Sequence, residues 1–105
     1  MAATNTAIAA AAGGKRITGC CNQAVDTANG VDFNFAEVQS GVRIANPSAN
    51  FLYYQVNTPD TITSATANGI VPAGEVVDIQ GEGITTLTCL ADTGAITPGI
   101  TGWKA

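Results

Sequence analysis

The sequence predicts an all-β domain, and three observations carry that prediction. Valine, isoleucine and threonine supply 31 of the 105 residues, against 3 leucines and 1 methionine. Such β-branched side chains are stiff at χ1 and fit a pleated strand better than a helix. Several short runs alternate apolar and polar residues, the period of a half-buried strand. Turn residues recur at roughly eight- to twelve-residue spacing from about residue 40 onward, the rhythm of an antiparallel sandwich or barrel. The expected fold is therefore an antiparallel β-sandwich or jelly-roll-like barrel with an extended N-terminal arm. A chain this short holds one domain, since domains run to roughly 100–150 residues. It divides into an arm at 1–14 and a single β-sandwich domain at 15–105.

The arm is dominated by alanine, with Ile8 its lone large apolar side chain. A helical nucleus this short is marginal in water, and Gly13-Gly14 stops it. Little side-chain area is available to offset the entropy of ordering the arm. The expectation is that it adds to a neighbouring subunit as an extra strand or strap, the alternative being that it pairs with its own sandwich. A short strand is expected within residues 15–21, then a turn-rich connection over 22–30. Val31, Phe33 and Phe35 alternate with Asp32, Asn34 and Ala36, a half-buried strand. Val42 and Ile44 share a face opposite Arg43, and Asn46-Pro47-Ser48 turns the chain. Phe51 to Val56 resumes as a strand, so 41–57 is the strongest hairpin candidate. After a turn at Thr58-Pro59-Asp60, Thr61 to Thr66 reads as a polar edge strand, and Asn68-Gly69 and Pro72-Ala73-Gly74 bracket Ile70-Val71. Val77 and Ile79 point inward with Asp78 outward, and Gly81-Glu82-Gly83 reads as a tight connection. Ile84 to Ala91 and Ala95 to Lys104 supply the last two strands. The inward set is Val42, Ile44, Val77, Ile79 and Leu87.

The chemistry of the side chains mainly excludes. Histidine is absent, which removes histidine triads, histidine bases and histidine metal ligands. Eight acidic residues against four basic ones give a net charge of −4, with Lys15-Arg16 the only basic pair. Nucleic acid is thereby a poor partner, since a binder shows a basic stripe, and so is an anionic membrane surface. The alanine-rich start lacks the basic n-region of a secretory signal, and no window approaches the ~18 apolar residues of a membrane-spanning helix. A soluble protein is expected.

Asp26 and Glu37 occupy the first and twelfth positions of a calcium loop, but Ala28 stands at a ligand position and Gly30 falls one place early. Gly14-Lys15 fails the phosphate-loop pattern at Ala9 and Arg16. Asp60, Glu75, Asp78, Glu82 and Asp92 read as solubilising charges rather than catalytic pairs. No catalytic residue, cofactor or metal is expected, and the protein reads as a non-enzyme. Cys20, Cys21 and Cys89 are odd in number, and a bond between adjacent cysteines is strained. Reduced thiols in a reducing cytosol are expected, with a Cys20–Cys89 or Cys21–Cys89 cross-link as the alternative. Tyr53, Tyr54 and Trp103 are the large amphipathic rings. They are candidates for core packing, for a protein interface alongside Ile8, or for a carbohydrate platform.

The segments GVRIANPSANFLYYQVN, ITSATANGIVPAGEVVDIQGEG and ITTLTCLADTGAITPGITGWK resemble small β-sandwich structural proteins of tailed-bacteriophage virions, above all capsid decoration, or cement, proteins. The shared features are I-x-N-P-S-x-N before an aromatic strand, N-G-I-x-x-A-G-E, and a closing strand pair around A-D-T-G. The segment 20–40 lies outside that pattern. The resemblance implies a non-enzymatic virion protein that binds and stabilises the outer surface of a phage capsid. Its partners would be the major capsid protein and copies of itself, a trimer among the options, and it would be assembled in the host cytoplasm. Two alternatives stand beside it: a tail, connector or head-fibre component, and a carbohydrate-binding or adhesion module.

Overall fold

A computed structural model describes residues 4–8, 17–21, 23–57, 62–63 and 65–103, with side-chain detail from residue 23 onward except at 36–38 and 81–82. Among these residues the secondary structure is strand alone: β1 Thr4–Ile8, β2 Ile17–Cys21, β3 Val31–Ala45, β4 Leu52–Val56, β5 Gly69–Val71, β6 Val76–Ala91 and β7 Gly99–Trp103. They form one sheet in the order β2-β7-β3-β6-β4-β5, with β1 beside β3. All pairings are antiparallel except β1 with β3. The sheet nearly closes into a barrel, so the expected all-β antiparallel class holds. No described helix is long and apolar enough to cross a membrane.

The long β3–β6 ladder organises the sheet. In its first half Val31 lies opposite Cys89 and Phe33 opposite Leu87; in its second, Val42 lies opposite Ile79 and Ile44 opposite Val77. The buried positions of β3 switch from odd to even between the halves. A one-residue slip sends every side chain to the other face. Register shifts at 34–41 absorb that slip, keeping both apolar sets inside. On the partner strand Gly83 takes a left-handed φ of 81°, a conformation glycine adopts without steric cost. Gly81-Glu82-Gly83 is therefore an irregularity inside one continuous strand, where a tight connection between strands was expected.

The expected 41–57 hairpin does not form. Residues 41–45 already have β6 on one edge and β7 on the other. The chain must pass beyond β6, and β4 pairs with the far half of that strand, Leu52 against Ala91 and Val56 against Leu87. The polar strand expected over 61–66 is also replaced. Its described part is a turn in which Thr66 N–H donates to the Thr63 carbonyl at 3.1 Å and Thr63 N–H to the Thr66 hydroxyl at 2.9 Å. Threonine hydroxyls here satisfy backbone groups that a ladder would otherwise take. Ile62 beside it is buried. The last strand is shorter than expected: β7 begins at Gly99, and Ile96 forms an isolated bridge with Val25. The turn expected at 58–60 lies outside the described residues, as do Lys15, Arg16 and Lys104.

The strand at 31–35 is covered on both faces, where one polar face was expected. Asp32, Thr88 and Gln55 form a buried cross-strand row, and the Thr88 hydroxyl donates to the Asp32 carboxylate. Thr4–Ile8 lies along the remaining edge of this half of β3, from Thr4 opposite Val31 to Ile8 opposite Phe35. That edge is open because β7 pairs only with residues 41–45. This part of the arm thus completes its own sheet, the alternative to adding to a neighbour. Residues 1–3 and 9–14 of the arm, and the side chain of Ile8, lie outside what is described.

Phe33, Val42, Ile44, Leu52, Leu87 and Ile100 are fully buried. Val77 and Ile79 are half-buried against them, so the expected inward set faces the core. The 26–30 loop is closed by the Asp26 carboxylate, which accepts the N–H groups of Gly30 at 2.7 Å, Asn29 at 2.9 Å and Ala28 at 3.3 Å. Those bonds, led by Gly30, hold its carboxyl below the usual value. Position 37, the last place of the calcium pattern, lies within β3 and outside this loop. Cys89 is a free, buried thiol, and burial pushes its pKa far above the usual range. The side chains of Cys20 and Cys21 are outside the described set.

Truncating Ile44 or Leu87 to alanine should cost about 2–5 kcal/mol. Ile79→Ala should cost less because its side chain is half-exposed, an order that chemical denaturation of the three variants will check. Native protein treated with a thiol reagent should remain unmodified at Cys89 by peptide mapping and react there only after unfolding.

Candidate functional site

Asn46 directly follows β3 and is buried. The following Pro47 excludes it from helical space and offers no N–H, so the chain leaves the sheet here. The side chain then takes over the role of a ladder. Its Nδ2 donates to the carbonyls of Asn50 at 2.8 Å and Val71 at 3.1 Å, with the Pro72 carbonyl at 3.3 Å. Its Oδ1 accepts from the Ser48 N–H at 3.1 Å and the Ser48 hydroxyl at 2.9 Å. Its backbone N–H donates to the Glu75 carbonyl at 2.9 Å, and Gly74 N–H returns to the Ser48 carbonyl at 3.0 Å. The 46–50 loop and the 72–75 turn are thereby one unit.

A third segment joins them. Asn50 Nδ2 donates to the Thr93 carbonyl at 2.7 Å, and Asp92 N–H to the Phe51 carbonyl at 3.0 Å. The three short motifs behind the resemblance thus meet in one hydrogen-bonded cluster. Phe51, Ile70 and Val76, the exposed large apolar side chains among the described residues, each adjoin a residue of this cluster in sequence. Their exposures are 49%, 48% and 55%. Ile70 lies opposite Tyr53 across the β4–β5 pair. The Tyr53 hydroxyl donates to Asp92 at 3.0 Å, and that bond raises its pKa above the ordinary value. A small hollow of about 100 Å³ lies between Ala49, Asn50, Phe51 and Asp92.

The four sequence candidates separate. Tyr53 belongs to this face. Tyr54 points the other way, its ring over Gly69, where an added Cβ would fall 2.5 Å from the phenol oxygen; it packs beside the core. Trp103 lies on β7 over Gly41, in a different part of the sheet. Ile8 is placed only by its backbone. The sequence reading missed Asn46, Phe51, Ile70 and Val76. The signal was the asparagine before proline, which reads locally as a turn and gives no hint of partners 25 residues away.

No group of three histidine, cysteine, aspartate or glutamate side chains suited to a metal occurs among the described residues. No protein-family model matches the chain. The search of curated proteins likewise gives no match.

Replacing Asn46 by alanine should cost roughly 1–3 kcal/mol for each carbonyl left buried without a donor. Asn46→Asp should cost more, because a carboxylate would face those carbonyl oxygens. Denaturation of both variants, with amide exchange at Gly74 as the local readout, checks the order.

Proposed function

We propose that this protein is a non-enzymatic structural component of a phage virion that docks on the outer surface of the capsid and stabilises it. The observation that carries the reading is the convergence of the three resembling motifs in one hydrogen-bonded cluster, with exposed Phe51, Ile70 and Val76 each next to it in sequence and Tyr53 paired with Ile70 and bonded to Asp92. Motifs scattered over almost 50 residues combine to hold exposed apolar side chains in place. Rigid aromatic and aliphatic anchors are what a protein interface uses for most of its affinity. A subunit that binds only the assembled shell lowers the free energy of that shell by mass action, site after site. The major capsid protein is the partner, with self-association, as in a trimer, on the same lattice, and assembly takes place in the host cytoplasm.

The test is co-sedimentation with purified phage shells stripped of their own surface proteins. Saturable binding at a fixed ratio to the major capsid protein is expected. A Phe51→Ser, Ile70→Ser double variant should bind roughly tenfold or more weakly, about 1.4 kcal/mol or more, with an unchanged unfolding midpoint. Binding to tails or connectors but not to shells would move the protein to that part of the particle. Absence of binding to any of them would end the virion reading.

A further inference from the structure

A second feature lies on the outer face of β7, β3 and β6. Register places Trp103, Gly41 and Gln80 in one cross-strand row and Thr101, Arg43 and Asp78 in the next. A Cβ built on Gly41 would fall 2.0–2.8 Å from Cζ2, Cε2 and Cη2 of Trp103. The indole therefore lies flat against the strand, a position only glycine leaves vacant. One face of the ring covers the Gly41 backbone, and the half-buried side chain turns the other outward. Beside it Arg43 donates to Asp78 through Nε at 2.7 Å and Nη2 at 3.0 Å, a two-pronged pair with side-chain exposures of 58% and 41%. Arg43, Asp78, Thr101, Gly102 and Trp103 line a depression of about 280 Å³. That is close to the lower end of small-molecule sites, which span roughly 300–1,000 Å³.

We infer that this depression binds a neutral carbohydrate, one sugar ring stacking on Trp103 while its hydroxyls bridge Arg43 and Asp78. The chemistry selects that class. A sugar ring has a face of C–H groups that suits the electron-rich face of an indole, and an edge of hydroxyls that both donate and accept. The guanidinium has five N–H donors and uses two on Asp78, and each carboxylate oxygen keeps lone-pair capacity beyond its bond to Arg43. Adjacent hydroxyls can take an N–H from one partner and give an O–H to the other without breaking the pair. Arg43 and Asp78 together are neutral, so an anion or a cation would have to compete with the existing partner, whereas an uncharged polyol does not. The fork geometry fixes both partners before the ligand arrives, which lowers the ordering cost of binding. The Thr101 hydroxyl adds a third polar group at the edge. Tyr53 and Tyr54 take no part, so the site differs from the three-ring carbohydrate platform that was one of the sequence's alternatives.

Trp103 is the sole tryptophan, so its emission reports on this site alone. The experiment titrates the full chain with methyl glucoside, galactoside and mannoside, N-acetylglucosamine and their short neutral oligomers, following emission and acrylamide quenching. A saturable emission change with protection from quencher is expected for at least one of them. Because an exposed ion pair adds little to stability, an Arg43→Gln, Asp78→Asn double variant should fold normally yet bind that sugar about tenfold or more weakly. Trp103→Phe, examined by calorimetry, should also bind it more weakly. No saturable response to any of these sugars would overturn the inference. So would full affinity in the double variant.

Discussion

The bulged β3–β6 ladder is the constraint from which the rest of the architecture follows. Two strands of 15 and 16 residues pair along most of their length, and an interrupted register lets each half bury its own apolar set. Because β7 covers only one half of β3 and β4 only one half of β6, the two halves acquire different neighbours. That offset turns a long two-stranded ribbon into a curled sheet. It leaves β1 the free edge at 31–35 and forces the chain after Ala45 to cross beyond β6. The displaced hairpin, the crossing loop and the edge position of β1 share this one cause.

Such a path requires strands to leave the sheet without orphaned backbone groups, and asparagine side chains meet that need. Asn46 ties the 46–50 loop to the 71–75 turn, and Asn50 joins the Thr93 segment to them. Asn57, itself at a left-handed φ of 54°, does similar work beside the β6 irregularity. Its Nδ2 donates to the Gly83 carbonyl at 2.7 Å, and its Oδ1 accepts from Thr85 N–H at 2.8 Å. Asn68 accepts the Val56 N–H at 2.7 Å where β4 ends. A side-chain amide presents a donor and an acceptor together, so it can replace a missing peptide neighbour. The sites where β3 and β4 terminate and where β6 kinks are held in this way, with little charge used.

Much of this was legible in sequence, for identifiable reasons. β-branched composition and period-two runs gave the class, and the inward positions at 42, 44, 77, 79 and 87 followed from alternation alone. Pairing was less legible because alternation says which face a residue takes but not which strand lies beside it. Residues 41–57 looked like a hairpin since nothing local reveals that both edges of β3 are occupied by distant strands. Gly81 to Gly83 carried turn chemistry, yet positive φ serves a mid-strand irregularity as well as a turn. Asp32 looked outward-facing because its cover, which includes Thr88 and Gln55, comes from elsewhere in the chain. The exposed apolar side chains escaped for a related reason: Phe51, Ile70 and Val76 read as ordinary apolar positions until the fold leaves them exposed.

The choice of ties also sets how the molecule responds to acid. An amide does not titrate, so the Asn46, Asn57 and Asn68 bonds do not change protonation between neutral and acidic solution. Two ties hold a carboxyl below the ordinary 3.8, the Asp26 loop and the exposed Arg43–Asp78 pair. A carboxyl whose pKa is lowered on folding contributes fully above its unfolded value and loses that contribution as pH falls through the lowered one. Both ties are therefore intact at neutral pH and weaken only in strong acid. Asp26 closes a surface loop, while Arg43–Asp78 is open to solvent, where such pairs add little to stability. The Asn46 amide bonds are accordingly decoupled from these titrations. Acid strong enough to protonate Asp78 disturbs the Trp103 depression while the Asn46 amide bonds keep their donors and acceptors.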